Sequence, residues 1–135
     1  MNTIKRYMIV DDDKANNMLC RMIFKKVFGD VESVTYDNPR EALEKISSDY
    51  SDSSKKLPTV LFLDINMPDI SGWEFMEHYK NFDESIHKQF TIYILSSSVD
   101  SKDKDLANKN PLITGYIQKP LTREKLKALF PGNVI

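Results

Sequence analysis

The chain is poor in the residues that announce several common structures and activities. Its single cysteine, Cys20, excludes an internal disulfide, and the neighbours Leu19, Met22, Ile23 and Phe24 mark it as a reduced thiol packed on a helix. There are two histidines, His78 and His87, read as surface residues of one helix and its following loop, so no Cys and His cluster suggests zinc. Long apolar runs are missing as well. The N-terminal MNTIKRYMIVDDD holds only a four-residue apolar run before three acids, far short of a signal peptide or a membrane span. Neither sign of charge prevails: 19 Lys plus Arg oppose 20 Asp plus Glu for a net charge of -1, which gives no bulk attraction to nucleic acid or an anionic membrane. These absences lead to the expectation of a soluble, unprocessed, cytoplasmic protein. At 135 residues, the span 1–135 is expected to form one domain, with no room for a second, effector-type domain.

What the chain does have is a regular alternation. Apolar runs of strand length stand at Tyr7–Val10, Val60–Leu63 and Ile92–Leu95, with weaker ones at Val31–Tyr36 and Ile113–Ile117. Between them lie apolar residues at three- and four-residue spacing: Leu19, Met22, Ile23 and Val27; Ala42, Leu43 and Ile46; Phe75, Met76, Tyr79 and Phe82; Leu126, Leu129 and Phe130. Asn38, Pro39 and Glu41 read as N-cap, first-turn proline and capping-box acid, and Thr122 as the cap of the last helix. The stretch Asp100–Asn110 has only Leu106 and Ala107 as apolar anchors and is expected to be a weakly held helix, while Ser47–Lys56 reads as a polar surface loop. Short apolar strands alternating with helices predict an α/β fold, a doubly wound five-stranded parallel sheet with helices on both faces.

In such sheets ligands bind beyond the carboxyl ends of the strands, where the strand order reverses. Here Asp11, Asp12 and Asp13 follow the first strand, Asp64 the third, Ser96–Ser98 the fourth and Lys119 the fifth. With strand order 2-1-3-4-5 the carboxylates converge, and converging carboxylates repel unless a cation sits among them. Hard oxygen donors with open coordination positions suit Mg²⁺. With its charge offset in this way, Asp64 could attack a phosphoryl group, while Lys119 and Ser96 supply a fixed cation and a hydroxyl donor to the phosphoryl oxygens.

Taken in order, IVDDD, LDINMPDISG, ILSSS and GYIQKP resemble the signatures of the receiver domains of two-component response regulators, including the single-domain chemotaxis regulator. The likeness runs nearly end to end and implies a flavodoxin-like fold. It further implies that Asp64 is the phosphoacceptor and that Asp11 and Asp12 hold Mg²⁺, Asp12 directly and Asp11 chiefly through water, with the backbone carbonyl of Asn66 as the remaining protein ligand. By the same resemblance Ser96 is the switch hydroxyl, Tyr116 the aromatic switch, and Lys119 the conserved-type lysine preceding a cis bond to Pro120. Two departures stand out. The family often has Thr at the position of Ser96 and a small apolar residue at that of Ser97, and KNPLITG replaces a common Gly-Ala pair before the fifth strand.

The resemblance implies a stand-alone receiver, monomer or weak dimer. It would be phosphorylated by a sensor histidine kinase or a histidine phosphotransfer protein and would switch its binding to an unknown downstream protein. Plainer readings exist for each residue: Asp11–Asp13 as a solvated turn, Asp64 and Ser96 as helix caps, Tyr116 as core. A Mg²⁺-dependent phosphatase is the alternative from another class, but its D-x-D-x-T pattern fails at Ala15 and a cap domain to enclose a substrate is missing. A pseudo-receiver scaffold is the third.

Overall fold

The computed structural model describes residues 3–52 and 54–135. Five strands, β1 (Arg6–Val10), β2 (Glu32–Tyr36), β3 (Thr59–Leu63), β4 (Phe90–Ser96) and β5 (Gly115–Gln118), form one parallel sheet in the order β2-β1-β3-β4-β5. Helices α1 (Lys14–Phe28), α2 (Pro39–Asp49), α3 (Gly72–Lys80), α4 (Glu84–His87), α5 (Ser101–Lys109) and α6 (Arg123–Leu129) connect and cover it, and a 3₁₀ turn at Pro131–Asn133 follows. The doubly wound α/β fold expected from the alternation is the fold observed. No helix among the described residues is long and apolar enough to cross a membrane.

The two-residue period of a strand sorts the core into two layers. Tyr7 and Ile9 of β1 face α1 and α6, in a cluster with Cys20, Phe24, Val27, Phe28, Phe62 and Leu126. Met8 and Val10 face the opposite layer, with Ala42, Ile46, Leu61, Phe75, Tyr79 and Ile92. Tyr7 stacks on Phe28 at 4.5 Å between ring centroids and on Phe24 at 5.1 Å. That stack corrects the expected face of α1. Its buried side runs through Asn17, Cys20, Phe24, Val27 and Phe28, while Leu19 and Met22 are 58% and 52% exposed. The two phenylalanine rings claim the sheet-facing side, and a rotation of about 100° per residue then turns Leu19 and Met22 outward.

Other boundaries shift for equally local reasons. Helix α2 runs through Asp49, and Tyr50 is buried, its hydroxyl 2.7 Å from Thr59 Oγ1 and its ring 4.5 Å from Phe90. The expected polar loop therefore begins only at Ser51, and Ser53 within it lies outside the described residues. His87 belongs to the extra turn α4 rather than to a surface loop: its ring packs 4.7 Å from that of Tyr79 and its Nε2 lies 2.8 Å from the Tyr79 carbonyl. His78 is exposed, as expected. Asn38 caps α2 by accepting from the Arg40 and Glu41 amides, but the reciprocal capping box is formed at α3, between Ser71 and Glu74. β5 starts at Gly115, later than Ile113, because the Asn110 side chain accepts from the Leu112 amide and its carbonyl from that of Ile113, holding a turn there.

The ladder of the sheet continues past the strand ends and fixes the backbone of the residues that follow. The Asp11 amide donates to the Tyr36 carbonyl at 3.0 Å, the Asp64 amide to that of Val10 at 2.9 Å, and the Lys119 amide to that of Ser96 at 2.8 Å. The Lys119–Pro120 peptide is cis. On the far side of Asp64 the chain folds back on itself, and the Gly72 amide donates to the Ile65 carbonyl at 3.0 Å. A Cβ at Gly72 would meet the Asp64 carbonyl oxygen at 2.6 Å and Ile65 Cα at 2.8 Å, both backbone atoms that cannot give way cheaply. Gly72→Ala is therefore expected to lower the unfolding free energy by about 1–3 kcal/mol, as an overpacked core does. Urea denaturation followed by circular dichroism measures the loss.

Candidate functional site

Strand ends that finish level bring Asp11, Asp12 and Asp64 to one edge, with carboxylate oxygens all within 4.8 Å of one another. Asp11 and Asp64 are buried and Asp12 is exposed, so the cluster has a closed floor and an open mouth. Asp11 is held on every side. Its Oδ1 accepts from the Asp13 amide at 2.9 Å, its Oδ2 from Asn16 Nδ2 at 3.0 Å and from Lys119 Nζ at 2.7 Å, and its carbonyl from Asn17 Nδ2 at 2.8 Å. Asp13 itself caps α1 by accepting from the Asn16 amide at 3.1 Å.

Lys119 reaches from the end of β5 to Asp11 and lies 3.8 Å from Asp64 Oδ1, bridging the two buried carboxylates. Burial pulls its pKa down, but the hydrogen bond it donates to Asp11 and the charges of Asp11 and Asp64 outweigh that and raise it. Asp64 shows the converse. Burial and then the neighbouring Asp11 charge push its carboxyl up to about 6, against the opposing pull of Lys119 and the Asn66 amide. Three acids thus face one lysine, and burial together with the neighbouring charge disfavours the ionised form of Asp64.

Ser96 is fully buried at the end of β4, and its Oγ accepts from the Ser98 amide at 3.1 Å. Tyr116 is half-buried and donates to the Ser98 carbonyl at 2.8 Å, so it meets Ser96 through Ser98 rather than directly. Asn66 is exposed two residues beyond Asp64 at the mouth of the cluster. Asn16 and Asn17, absent from the site residues expected from the sequence, orient Asp11 from the first turn of α1. A visible signal was there: two adjacent amides at the start of a helix, one of which must turn toward the sheet.

Chemically, the donors are hard oxygens with a lysine at their rear, a set that fits Mg²⁺ and leaves coordination positions open toward solvent. A buried carboxylate whose pKa is raised destabilises the fold once it ionises. The folded chain holds the Asp64 proton more tightly than the unfolded chain does, so this group's contribution to stability falls as pH rises from the ordinary carboxylate value toward about 6. In a chelating buffer at pH 7.5, Asp64→Asn is expected to stabilise the protein by about 1–2 kcal/mol. The gain should shrink toward pH 3, below the ordinary carboxylate value of 3.8, where the parent carboxyl is largely neutral in both states. Paired urea titrations at the two pH values check the sign.

A family model described as response regulator receiver domain matches residues 7–130. The chain is similar to Protein PilG of Pseudomonas aeruginosa, 28% identical over 131 residues that cover 96% of this chain and 87% of PilG. It is also similar to Transcriptional regulatory protein TrcR of Mycobacterium tuberculosis, 29% identical over 130 residues covering 94% of this chain and 44% of TrcR. Among solved structures, the response regulator receiver protein of Dyadobacter fermentans matches with a TM-score of 0.83 at 28% identity, covering 94% of this chain and 95% of that one.

Proposed function

The chain belongs to the response regulator receiver domain family, a signalling module of two-component systems, and on that footing we propose that Asp64 is its phosphoacceptor. The observation that carries this reading is the placement of Asp64: buried at a rigid strand end, within 4.8 Å of two other acids, and 3.8 Å from Lys119. The carboxylates of Asp11, Asp12 and Asp64 with the backbone carbonyl of Asn66 would hold Mg²⁺. Bound there, the ion would offset the charge on both the attacking carboxylate and the phosphoryl oxygens.

In the transfer, an ionised Asp64 oxygen attacks phosphorus. A P–O bond forms to give an acyl phosphate, while the P–N bond to a phosphohistidine breaks and returns its electron pair to the imidazole. With acetyl phosphate as donor the bond broken is P–O and acetate leaves. Lys119, already poised between two carboxylates, gives its ammonium charge to a phosphoryl oxygen, and the Ser96 hydroxyl donates to another. The donor is a sensor histidine kinase or histidine phosphotransfer protein, and the readout is altered binding of a downstream protein.

Incubation with acetyl phosphate and Mg²⁺ should give a single acid-stable, base-labile phosphoryl adduct, detected by intact-protein mass spectrometry. Chelation of the metal or the Asp64→Asn change should abolish it, and Lys119→Met should cut its yield by about 10-fold or more. A parent protein that acquires no adduct would overturn the reading.

A further inference from the structure

Ser98, in the loop between β4 and α5, makes four hydrogen bonds. Its amide donates to Ser96 Oγ at 3.1 Å, its carbonyl accepts from the Tyr116 hydroxyl at 2.8 Å, its Oγ accepts from the Asp100 amide at 3.2 Å, and that same Oγ donates to Asp103 Oδ2 at 2.7 Å. Every polar group of Ser98 is thus engaged, and it joins the residues proposed as switch hydroxyl and aromatic switch. Asp103 is half-buried in the first turn of α5, and its second oxygen, Oδ1, accepts from Trp73 Nε1 at 3.3 Å. Trp73 stands in the first turn of α3, the helix whose start packs on the backbone of Asp64 and Ile65. One carboxylate therefore ties the β4–α5 loop to a helix anchored at the phosphoacceptor.

We propose that Asp103 is a positioning residue that latches Ser98, and through it Ser96 and Tyr116, in the unphosphorylated arrangement by bracing the loop against Trp73. This goes beyond the proposed phosphorylation of Asp64 and rests on it. Ser96 Oγ serves the Ser98 amide, so a Ser96 side chain that swings to a phosphoryl oxygen either draws Ser98 along or abandons that amide. Drawing Ser98 along pulls its hydroxyl off Asp103. The bond broken is to a charged acceptor, the stronger class of hydrogen bond, so Asp103 sets much of the cost of switching. The rest of α5 resists little: Ala107 is its one fully buried residue and Leu106 is 49% exposed. A latch that favours one state weakens the ligand that favours the other, by the difference in its binding to the two.

The test uses beryllium trifluoride, a tetrahedral phosphoryl mimic, titrated calorimetrically at saturating Mg²⁺ into the parent chain and into Asp103→Ala, Asp103→Asn, Ser98→Ala and Trp73→Phe. Release of the latch should tighten binding by about 5-fold or more in Asp103→Ala and Ser98→Ala. The double variant should be no tighter than either single one, because both remove the same bond. Asp103→Asn keeps one acceptor oxygen, and Trp73→Phe removes only the brace, so both should fall between, and both are conservative enough to fold. Trp73 is the sole tryptophan, so its emission in the parent reports the same event and should change on saturation. Parent-like affinity in Asp103→Ala and Asp103→Asn, or additive effects of Ser98→Ala and Asp103→Ala, would sink the latch while leaving the receiver reading intact. A parent chain that binds no mimic, as Asp64→Asn should not, would defeat the receiver reading and the latch with it.

Discussion

Two buried carboxylates and one ammonium group set the terms for everything else in this molecule. Asp11 and Asp64 stand at the ends of adjacent parallel strands, and Lys119 binds one at 2.7 Å and approaches the other at 3.8 Å. A single lysine cannot neutralise both. The bond to Asp11 is the shorter, and Asp64 carries the imbalance as a carboxyl raised to about 6 by burial and by its neighbour. That imbalance is a liability for folding and an opening for chemistry. A divalent cation would relieve the repulsion, and under the proposed function a phosphoryl group would be accepted where the charges that crowd Asp64 can be offset around it.

Such a site holds only if the backbone beneath it does not yield. The ladder bonds that continue from the strands into Asp11, Asp64 and Lys119 supply that rigidity. They bring side chains from distant parts of the sequence to one edge of the sheet. Asn16 and Asn17 add a second support, turning the first turn of α1 into a bracket for Asp11. Gly72 adds a third, because only a residue without Cβ lets α3 begin directly against the Asp64–Ile65 backbone. Rigidity here is distributed over the strand-end ladder, the first turn of α1 and the start of α3.

The parts that were legible in the sequence are those governed by period and by strand ends. Four-residue apolar runs marked the buried strands β1 and β3, and the acids immediately after them marked the open edge, because a central strand has no other place to put a charge. The Pro39 and Thr122 helix starts were legible for the same reason, since caps are local. What was not legible depended on contacts made across the fold. The outward turn of Leu19 and Met22 follows from where Phe24 and Phe28 stack on Tyr7, and the burial of Tyr50 follows from a partner, Phe90, forty residues away in the chain. The Asp103–Trp73 bond belongs to the same class: each residue, read alone, is an exposed helix acid or a packing aromatic.

Stability is unequal across the molecule in a way that suits a switch. The central strands β1 and β3 bury every apolar side chain they carry, whereas α5 is charged along most of its length and rests on Ala107. A rigid half and a loosely docked half meet at the end of β4, where Ser96 is fully buried and Ser97 is exposed. A change of charge at Asp64 therefore has one direction in which to be relieved. Deforming the sheet would break ladder bonds and open a packed core, while moving the loop and α5 sacrifices a few side-chain hydrogen bonds centred on Ser98. The smaller barrier lies toward α5, so under the proposed function that is the surface to report phosphorylation, and the proposed latch on Ser98 would set how readily it does so.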